Sequence, residues 1–309
     1  MSSEFSHIPV LLSETIDALQ IKSDGTYLDG TVGGAGHSYE IARRLTGGRL
    51  FCIDKDIEAI RKASEKLKDF KGITIIEGDF RETKKLLEGL TDSLDGALLD
   101  LGVSSHQLDT PGRGFSYLEN GPLDMRMSQK GLTAEDIVNN YSESELADIF
   151  FFLGEESNAR LIAGKIVNAR IGSHIKSTTE LAELVISALP PSIRRKEKNP
   201  CRKVFTALRI AVNDEFEALK EGIEEIFSLL NTGGRLCIIT FHSLEDRITK
   251  QSFQELAKGC TCPPDFPICV CNNRPKGRII NKKPINASSV ETEINRRARS
   301  AKLRIIEKI

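Results

Sequence analysis

Between residues 26 and 103 the sequence alternates short β-rich runs with segments of helical periodicity, and this alternation constrains the fold more than any other feature. The predicted strands are Thr26–Asp29, Arg49–Asp54, Ile73–Ile76 and Asp95–Asp100. Apolar residues recur at helical spacing between the second and third of them, over residues 57–67. Strands that alternate with helices in this way predict an α/β fold built on a parallel sheet.

The alternation stops after residue 104 and resumes near residue 214. The intervening sequence has four helical segments and no clear strand, the helical segments being Glu143–Leu153, Ala159–Ala169, Thr179–Leu189 and Val204–Val212. We therefore predict three parts: residues 1–104 as the first part of a sheet domain, 105–213 as a helical insertion, and 214–309 as the second part of the sheet domain.

The second part begins with an amphipathic helix from Phe216, which we expect to stop at Gly233-Gly234. Arg235–Phe241 then has the apolar composition of a buried strand. A last apolar run at Leu303–Ile306 is predicted to close the sheet as an antiparallel edge strand. The predicted architecture is one nucleotide-binding sheet that a helical module interrupts.

A glycine-rich loop follows the first predicted strand, where an open α/β sheet places its ligand. Gly33, Gly34 and Gly36 would let the backbone approach an adenosine moiety, although a purely structural turn has the same composition. Asp54 closes the second strand, and an acidic side chain there can accept hydrogen bonds from both ribose hydroxyls. The pair of features predicts an adenosine-containing cofactor.

Two cofactor classes use this geometry, nicotinamide dinucleotides and S-adenosyl-L-methionine. The dinucleotide pattern Gly-x-Gly-x-x-Gly is incomplete, because Gly34-Ala35-Gly36 is followed by no third glycine at the required position. Phe80, after the third strand, is placed to flank an adenine, and Asp100 ends the fourth strand facing the reactive centre. These strand ends favour the methyl donor.

Longer motifs run through nearly the whole chain. They are His7–Glu14, Asp29–Ser38, Leu99–Ser105, Gln107–Asp109, Arg113–Ser116, Pro122–Met127, Ala207–Glu215, Phe241–Arg247 and Ser300–Arg304. In these motifs the sequence resembles the RsmH (MraW) family of bacterial methyltransferases. The resemblance implies a Rossmann-like, S-adenosylmethionine-dependent methyltransferase sheet with an inserted helical domain, which methylates N4 of a cytidine in the decoding region of 16S rRNA.

The resemblance also implies site residues, cofactor and partner. The cofactor S-adenosyl-L-methionine is expected at Ala35, Gly36, His37, Asp54, Phe80, Asp100 and Gln107, to which the glycine loop adds Gly34. The expected partner is 16S rRNA, within the small ribosomal subunit, with the helical insertion as the RNA-recognition domain. Oligomeric state is left open.

Asp100 is the candidate catalytic residue, as the acceptor for the N4–H of the cytosine. His242 follows the late strand and is a second candidate, lining the base pocket, or alternatively part of a helix start in which Ser243-x-x-Asp246 forms a capping box. No aromatic residue follows Asp100 in the Pro-Pro-aromatic arrangement of many amino methyltransferases. Phe115 or Tyr117 is therefore expected to stack on the target base.

Positive charge is concentrated in two blocks, although the chain as a whole has a net charge of −1. Residues 272–309 contain 11 Lys or Arg against 3 Glu, and residues 189–209 contain 7 against 1. Such blocks, with Arg194-Arg195-Lys196 in one of them, predict phosphate binding, or else solvated surface. Arg113 and Arg126 are further candidates for binding phosphates, or for pairing with Asp124.

Seven cysteines are an odd number for a disulfide framework. Four of them lie within twelve residues, at Cys260, Cys262, Cys269 and Cys271, and in a reducing compartment this favours a structural Zn²⁺. The Cys-x-Cys spacing is tighter than the usual zinc pattern, so the alternative is a cluster without metal. The first residues lack the pattern of a signal peptide and no later run would span a bilayer, so a cytoplasmic location without membrane contact is expected.

Two other functions remain open on the sequence. A nicotinamide-dependent oxidoreductase would use the same glycine loop, and a ribosome assembly factor without catalytic activity would keep the same fold. The presence of both Asp54 and Asp100 argues against the second alternative.

Overall fold

The computed structural model describes residues 9–196, 198–260, 262, 271 and 273–309. The chain divides into two compact units. The sheet unit consists of Met1–Gly102 and Phe216–Ile309, and the helical unit consists of Val103–Glu215.

The sheet unit is built on one eight-stranded sheet. Its strands are β1 (Thr26–Asp29), β2 (Arg49–Asp54), β3 (Ile73–Glu77), β4 (Leu94–Asp100), β5 (Leu230–Thr240), β6 (Gly277–Ile279), β7 (Ile285–Asn286) and β8 (Lys302–Lys308). The order is β3-β2-β1-β4-β5-β8-β6, with β7 also paired to β8. The first five strands are parallel, and β8 is antiparallel to β5. The predicted strands and their parallel arrangement are confirmed.

The last strand differs from the prediction in one respect. β8 is antiparallel, as expected, but it is not an edge strand, because β6 and β7 pair with its other side. These two strands have three and two residues, too few for alternation to be detected in the sequence.

Helices cover both faces of this sheet. They are α1 (Leu12–Leu19), α2 (Gly36–Ala42), α3 (Ile57–Leu67), α4 (Thr83–Leu87), α12 (Glu215–Leu229), α13 (Ser243–Leu256) and α14 (Ser289–Ile294). Successive residues of a strand point to opposite faces, so Leu50 and Cys52 pack with α1, α2 and α3, whereas Phe51 and Ile53 pack with α4, α12 and α13. Burial on both faces explains the continuous apolar composition of the strands.

The amphipathic helix predicted before β5 is α12, and it ends at Leu229, four residues before Gly233. β5 begins immediately, and its pairing with β4 is irregular between Leu94 and Gly96. Gly233 has a φ of 83° within this segment, which explains the need for glycine there. The predicted helix stop at Gly233-Gly234 was therefore too late.

The helical unit has a hydrophobic core of its own. Its helices are α5 (Ser105–Asp109), α6 (Ala134–Asn140), α7 (Glu143–Asp148), α8 (Ala159–Arg170), α9 (Thr178–Ala188), α10 (Pro191–Lys196) and α11 (Arg202–Asn213). The segment predicted as one helix from Glu143 is α7 followed by a π-helical turn over Ile149–Leu153. Among the residues described in this unit, the β structure is one bridge between Pro122 and Ser177.

The fold is therefore a Rossmann-like α/β/α sheet, and the helical unit is inserted between β4 and α12. Among the described residues, no helix combines the length and the apolar character that a membrane span requires.

Candidate active site

Four acidic side chains lie at or just after the carboxyl ends of neighbouring strands. Asp29 ends β1, Asp54 ends β2 and Asp100 ends β4, while Glu245 lies in the first turn of α13, directly after β5. The carboxyl ends of parallel strands meet at one edge of a sheet, which is where open α/β sheets bind ligands.

Asp29 and Asp54 are held by neutral donors. Asp29 accepts a hydrogen bond from Ser38 Oγ at 2.6 Å and one from the Thr31 N–H at 3.2 Å. Asp54 accepts from the N–H groups of Gly33 and Asp56, each at 2.9 Å. Burial is the main cause that raises the pKa of each carboxyl to about 6, and the hydrogen bonds oppose it. The glycine loop is thus tied to the end of β2 through Asp54.

The glycines of this loop serve different purposes. Gly33 has a φ of 48° and Ala35 a φ of 54°, so the loop turns through the left-handed region. A side chain at Gly34 would meet no atom within 4 Å, which leaves its backbone open to a ligand. A Cβ at Gly36, in contrast, would lie 2.1 Å from Pro9 Cγ. Gly36 is therefore required by packing against the N-terminal segment, a role that the sequence did not indicate.

His37 lies next to this segment and is nearly inaccessible. Its Nε2 is 3.1 Å from the carbonyl oxygen of Val10, and its Nδ1 is 3.6 Å from Asp100 Oδ2. With Nε2 as the donor to Val10, the ring is fixed and Nδ1 faces the carboxylate. In this tautomer Nδ1 is an acceptor, so the imidazole attracts the Asp100 carboxylate only when a second proton makes the ring cationic.

One carboxyl oxygen of Asp100, Oδ1, accepts no hydrogen bond from the described residues. Its backbone N–H donates to Thr31 Oγ1 at 2.6 Å, but its Oδ1 is buried and has no hydrogen-bond partner among the described residues. Burial raises the pKa of Asp100 well above its ordinary value, and the carboxylates of Asp29 and Glu245 add to the increase. A buried acceptor without a partner is unfavourable for folding and marks a place for a ligand's donor.

His242 lies at the start of a helix, but the capping box there differs from the predicted one. The N-cap of α13 is His242 itself, whose side chain accepts from the Glu245 N–H, while the Glu245 side chain accepts from the His242 N–H. The capping box thus lies one residue earlier than the predicted Ser243–Asp246 pair. The Glu245 Oε1 is also 2.8 Å from His242 Nε2, and the ring of Phe216 packs against the imidazole at 5.7 Å.

Phe80 begins a 3₁₀ turn after β3, capped by the side chain of Asp79. A Cβ at Gly222 of α12 would lie 2.4 Å from the Phe80 ring, so that glycine gives the ring its space. Phe80 is partly buried against the sheet's core, and its ring keeps some exposure.

The predicted site residues of the helical unit have local structural roles. Gln107 forms a capping box with Ser104 at the start of α5. Arg113 is buried and donates to the carbonyl oxygens of Arg126 and Met127, each at 3.0 Å. Arg126 forms a bidentate ion pair with Asp124. The pairing alternative was correct for Arg126, and the phosphate role predicted for Arg113 is wrong because its guanidinium is enclosed.

Of the two aromatic residues proposed to stack on the base, only Phe115 is enclosed. Phe115 is 7% exposed and belongs to the core of the helical unit, so this alternative is wrong. Tyr117 packs edge-on against Phe205 with ring centroids 4.9 Å apart, and is partly exposed.

Some cations of the two basic blocks are exposed, whereas others form ion pairs within the protein. In the first, Arg194, Arg195 and Lys196 of α10 are exposed, whereas Arg209 is paired with Glu215 at 2.7 Å. In the second, some cations pair with Asp246 and Glu307, and the exposed ones include Lys282, Lys283, Arg296 and Arg299.

The cysteines fall into two groups. Cys52, Cys201 and Cys237 are buried, and burial raises the pKa of Cys201 to about 11 and that of Cys237 to about 12. The sulfur atoms of Cys260, Cys262 and Cys271 lie close together. Cys269, the fourth predicted metal ligand, lies outside the described residues.

Comparison with known proteins identifies the family. Residues 4–309 match the model of the MraW methylase family. The chain belongs to this family. It is 50% identical to the ribosomal RNA small subunit methyltransferase H 2 of Agathobacter rectalis, with 99% of each chain covered. It is 51% identical to the ribosomal RNA small subunit methyltransferase H of Clostridium botulinum strain 657, with 99% of this chain and all of that one covered. An rRNA methylase structure from Streptococcus thermophilus aligns at 11% identity with a TM-score of 0.40, covering 97% of this chain and 92% of that one.

The acidic edge is suited to the methyl donor of a MraW methylase. S-adenosyl-L-methionine carries positive charge on its sulfonium and ammonium groups, which carboxylates attract, whereas a dinucleotide would bring a pyrophosphate of the same sign as Asp29, Asp54 and Asp100. Asp100 Oδ1 has no partner among the described residues and can accept from a ligand N–H, and the loop at Gly34 is open to a ligand. The oxidoreductase alternative loses its support on this ground.

Sequence reasoning missed several contributors to the site. Asp29 and Thr31 were seen only as part of a motif, although Thr31 holds the backbone of Asp100. Pro9 and Val10 pack on Gly36 and His37, and no local pattern indicates this. Glu245 could have been found from its position just after β5, by the reasoning that found Asp54.

Proposed function

We propose that this protein methylates N4 of a cytidine in the decoding region of bacterial 16S rRNA, with S-adenosyl-L-methionine as the methyl donor. The observation that carries the proposal is the buried Oδ1 of Asp100, an acceptor without a partner among the described residues, at the carboxyl edge of the sheet. Family membership and the names of the relatives support the choice of reaction and of substrate.

The cofactor residues divide by the groups they offer. Asp54 has acceptor capacity left for the ribose hydroxyls after its two backbone hydrogen bonds, since a carboxylate has about four acceptor positions. Gly34 is exposed and its backbone is open to a ligand, whereas Ala35 and Gly36 are included because they match the family's motif. Phe80 is proposed to flank the adenine. His37 and Gln107 are included because they match the family's motif, and His37 Nδ1 lies 3.6 Å from Asp100 Oδ2.

Bound S-adenosyl-L-methionine supplies an electrophilic methyl group. The protein's own task is then to aim the N4 lone pair, which is delocalised into the cytosine ring. An acceptor on the N4–H holds the amino group in one orientation and takes up the positive charge that develops as the new C–N bond forms. Asp100 Oδ1 is proposed for this role, alone or while also contacting the donor, whose positive charge would favour the ionised carboxylate against the effect of burial. The proton that N4 loses passes to Asp100 or to water.

His242 is proposed to border the base pocket as well as to cap α13. Its Nδ1 accepts a hydrogen bond from the Glu245 N–H and its ring packs against Phe216, so it would present a fixed surface to the base. Such positioning would restrict the orientation of the cytosine without a proton transfer by His242.

RNA recognition is proposed to use the helical unit and the basic C-terminal segment. The exposed cations of α10 and those at Lys282, Lys283, Arg296 and Arg299 can bind phosphates. A target in the small ribosomal subunit would place the protein in the cytoplasm. Catalysis by this route needs no metal, so a Zn²⁺ at the cysteine cluster would be structural.

The test is methyl transfer from labelled donor to 16S rRNA, followed by mapping of the modified nucleotide. We expect one modified cytidine, with the label on N4. A nucleotide other than cytidine would overturn the substrate assignment, and stable RNA binding without transfer would support the assembly-factor alternative. Thermal stabilisation by S-adenosylhomocysteine but not by NAD would separate the methyltransferase from the oxidoreductase.

The RNA-binding part is tested by salt and by substrate size. Removal of each cation that binds a phosphate should lower the slope of log K against log salt by roughly 0.7 to 0.9, so Arg194→Ala/Arg195→Ala/Lys196→Ala should flatten it by about 2 to 3 without changing cofactor affinity. We also expect assembled small-subunit particles to be methylated better than an oligonucleotide of the same sequence. Equal efficiency on both would mean that recognition is local.

A further inference from the structure

Three cysteines meet in the connection between α13 and β6. Cys260 and Cys262 follow the end of α13, and Cys271 precedes β6. Their sulfur atoms all lie within 4.8 Å of one another, and Cys260 Sγ is 3.6 Å from Cys271 Sγ. The cluster is partly exposed to solvent, unlike the three cysteines buried elsewhere in the chain.

The spacing of these sulfurs distinguishes between two kinds of cross-link. A disulfide requires about 2.05 Å between the sulfurs. Thiolates at about 2.3 Å from one tetrahedral Zn²⁺ are about 3.8 Å apart along the edges of the tetrahedron. The distance of 3.6 Å between Cys260 and Cys271 is close to the second value.

Neighbouring groups support thiolates at this position. The N–H of Asn273 points at Cys271 Sγ with an N···S distance of 3.5 Å, and amide donors of this kind stabilise a metal-bound thiolate. The side-chain amide of Asn273 donates to the carbonyl oxygens of Gly259 at 2.8 Å and Lys258 at 3.3 Å. One residue therefore joins the two ends of the connection and also contacts a sulfur.

The backbone closes the same connection one step further out. The N–H of Lys276 donates to the carbonyl oxygen of Leu256 at 2.9 Å, which joins the end of α13 to the approach of β6. The N–H of Ile309 donates in turn to the carbonyl oxygen of Lys276 at 3.1 Å. A metal at the three sulfurs would therefore close a loop whose ends are already held together.

We propose that Cys260, Cys262 and Cys271 bind one structural Zn²⁺. Three soft thiolate ligands without a carboxylate or carbonyl among them favour zinc over magnesium or calcium. Tetrahedral Zn²⁺ has four ligands, so one more protein ligand or a water would complete the site. The ion cross-links the end of α13 to the start of β6 and so stabilises the strands that cover β8. This site is independent of the proposed methyl transfer.

The first test is the metal content of the full-length protein, purified under reducing conditions with zinc present. We expect about one equivalent of zinc, and loss of most of it in each of the variants Cys260→Ser, Cys262→Ser and Cys271→Ser. Cys52→Ala, Cys201→Ala and Cys237→Ala are matched controls that should retain the metal. Replacement of zinc by Co²⁺ should give the visible and near-ultraviolet bands of tetrahedral thiolate coordination.

A second test needs no substitution, so it stays decisive if a variant fails to fold. Wild-type protein is treated with an alkylating reagent, with and without prior removal of zinc by a chelator, and the modified peptides are identified by mass spectrometry. Zinc should protect Cys260, Cys262 and Cys271 by at least about tenfold in rate. Wild-type protein without bound zinc, equal alkylation in both states, or a disulfide between Cys260 and Cys271 under reducing conditions would each overturn the proposal.

A stability measurement shows what the ion does for the fold. Removal of zinc should lower the melting temperature and increase amide exchange at the end of α13 and in β6. Binding of S-adenosylhomocysteine at a temperature where both forms are folded should be unchanged. Failure of the zinc site would thus appear in metal content and exchange, whereas failure of the proposed methyl transfer would appear in product formation.

Discussion

The buried and partly buried acids of the sheet unit have two contrasting environments. At the carboxyl edge, no Lys or Arg of the described chain lies within ion-pair distance of Asp29, Asp54 or Asp100, and burial raises the pKa of each. Asp246 instead pairs with Arg304 at 2.6 Å and with Lys302 at 3.2 Å. Glu307 pairs with Arg235 at 3.0 Å and with Arg278 at 2.6 Å. Its pKa and that of Asp246 are lowered, because these pairs outweigh the effect of burial.

We interpret the difference as one between acids that stabilise the fold and acids that are proposed to bind a ligand. A buried carboxylate without a cation destabilises the protein, and it persists where a function requires it. The paired acids join β8 to α13 and to β5, so they stabilise the part of the sheet that carries the last strand. The acids of the carboxyl edge lie where a positively charged donor would supply the missing charge.

Asp100→Ala should show the largest effect of any substitution at the acidic edge. We expect methyl transfer to fall by about 10²- to 10⁴-fold, while RNA binding changes little, because an acceptor for the N4–H matters most as the bond forms. Asp100→Asn should retain more activity, since its amide oxygen can still accept one hydrogen bond. Single-turnover rates with saturating RNA check this, and normal turnover in both variants would remove Asp100 from the mechanism.

Asp246→Ala should act on the fold instead of the chemistry. Without its carboxylate, Arg304 is left buried and uncompensated, so the free energy of unfolding should fall by about 3–5 kcal/mol. Urea denaturation measures this change. S-adenosylhomocysteine affinity of the folded variant should stay within about twofold of wild type, and a large drop in affinity would show that the two groups of acids are not separate.

Asp54→Ala should weaken cofactor binding by about 1.5–3 kcal/mol, roughly tenfold to a hundredfold in Kd. The reason is removal of the acceptor for the ribose hydroxyls and of the two backbone hydrogen bonds that hold the glycine loop. Glu40→Gln on α2 is the matched control, because Glu40 is an acid paired with Arg43 and Arg44. Calorimetric titration that found equal affinities in both variants would contradict the assignment.

Asp100→Asn should give the smallest effect, a rise in melting temperature of about 1–3 °C at pH 8. Because the pKa of Asp100 is raised in the folded state, the unfolded chain binds fewer protons above about pH 4, and wild-type stability declines as pH rises from there through the raised pKa. The amide removes this decline. Melting curves across pH should therefore converge near pH 4 and separate at pH 8, and parallel curves would refute the explanation.

The strands and the ligand edge could be predicted because their signals are local. Four-to-seven-residue apolar runs with helices between them define β1 to β4, and Asp54 and Asp100 are found simply as the residues that end two of those strands. The family motifs then supplied His37 and Gln107. All of this information lies within short stretches of the chain.

Pairing and packing could not be predicted, because they depend on residues far apart in the sequence. Arg304 and Asp246 are separated by 58 positions, and the Leu11 N–H donates to Glu291 across 280 positions. Glu245 and Asp246 are neighbours of similar chemistry, yet one lies at the acidic edge and the other in an ion pair. The two carboxylates lie on different faces of α13, and this decides which environment each one enters.

The sequence by itself therefore determined the α/β class, the family and the edge of the sheet where the ligand is proposed to bind, since periodicity and the residues at strand ends are local features of the sequence. Only the tertiary structure decided that Gly36 serves packing against Pro9, that Arg113 is enclosed, and that β8 lies inside the sheet. It also decided that three of the clustered cysteines bring their sulfurs together. Each of these depends on which distant side chain fills the space beside a residue, and burial and charge pairing are properties of that contact.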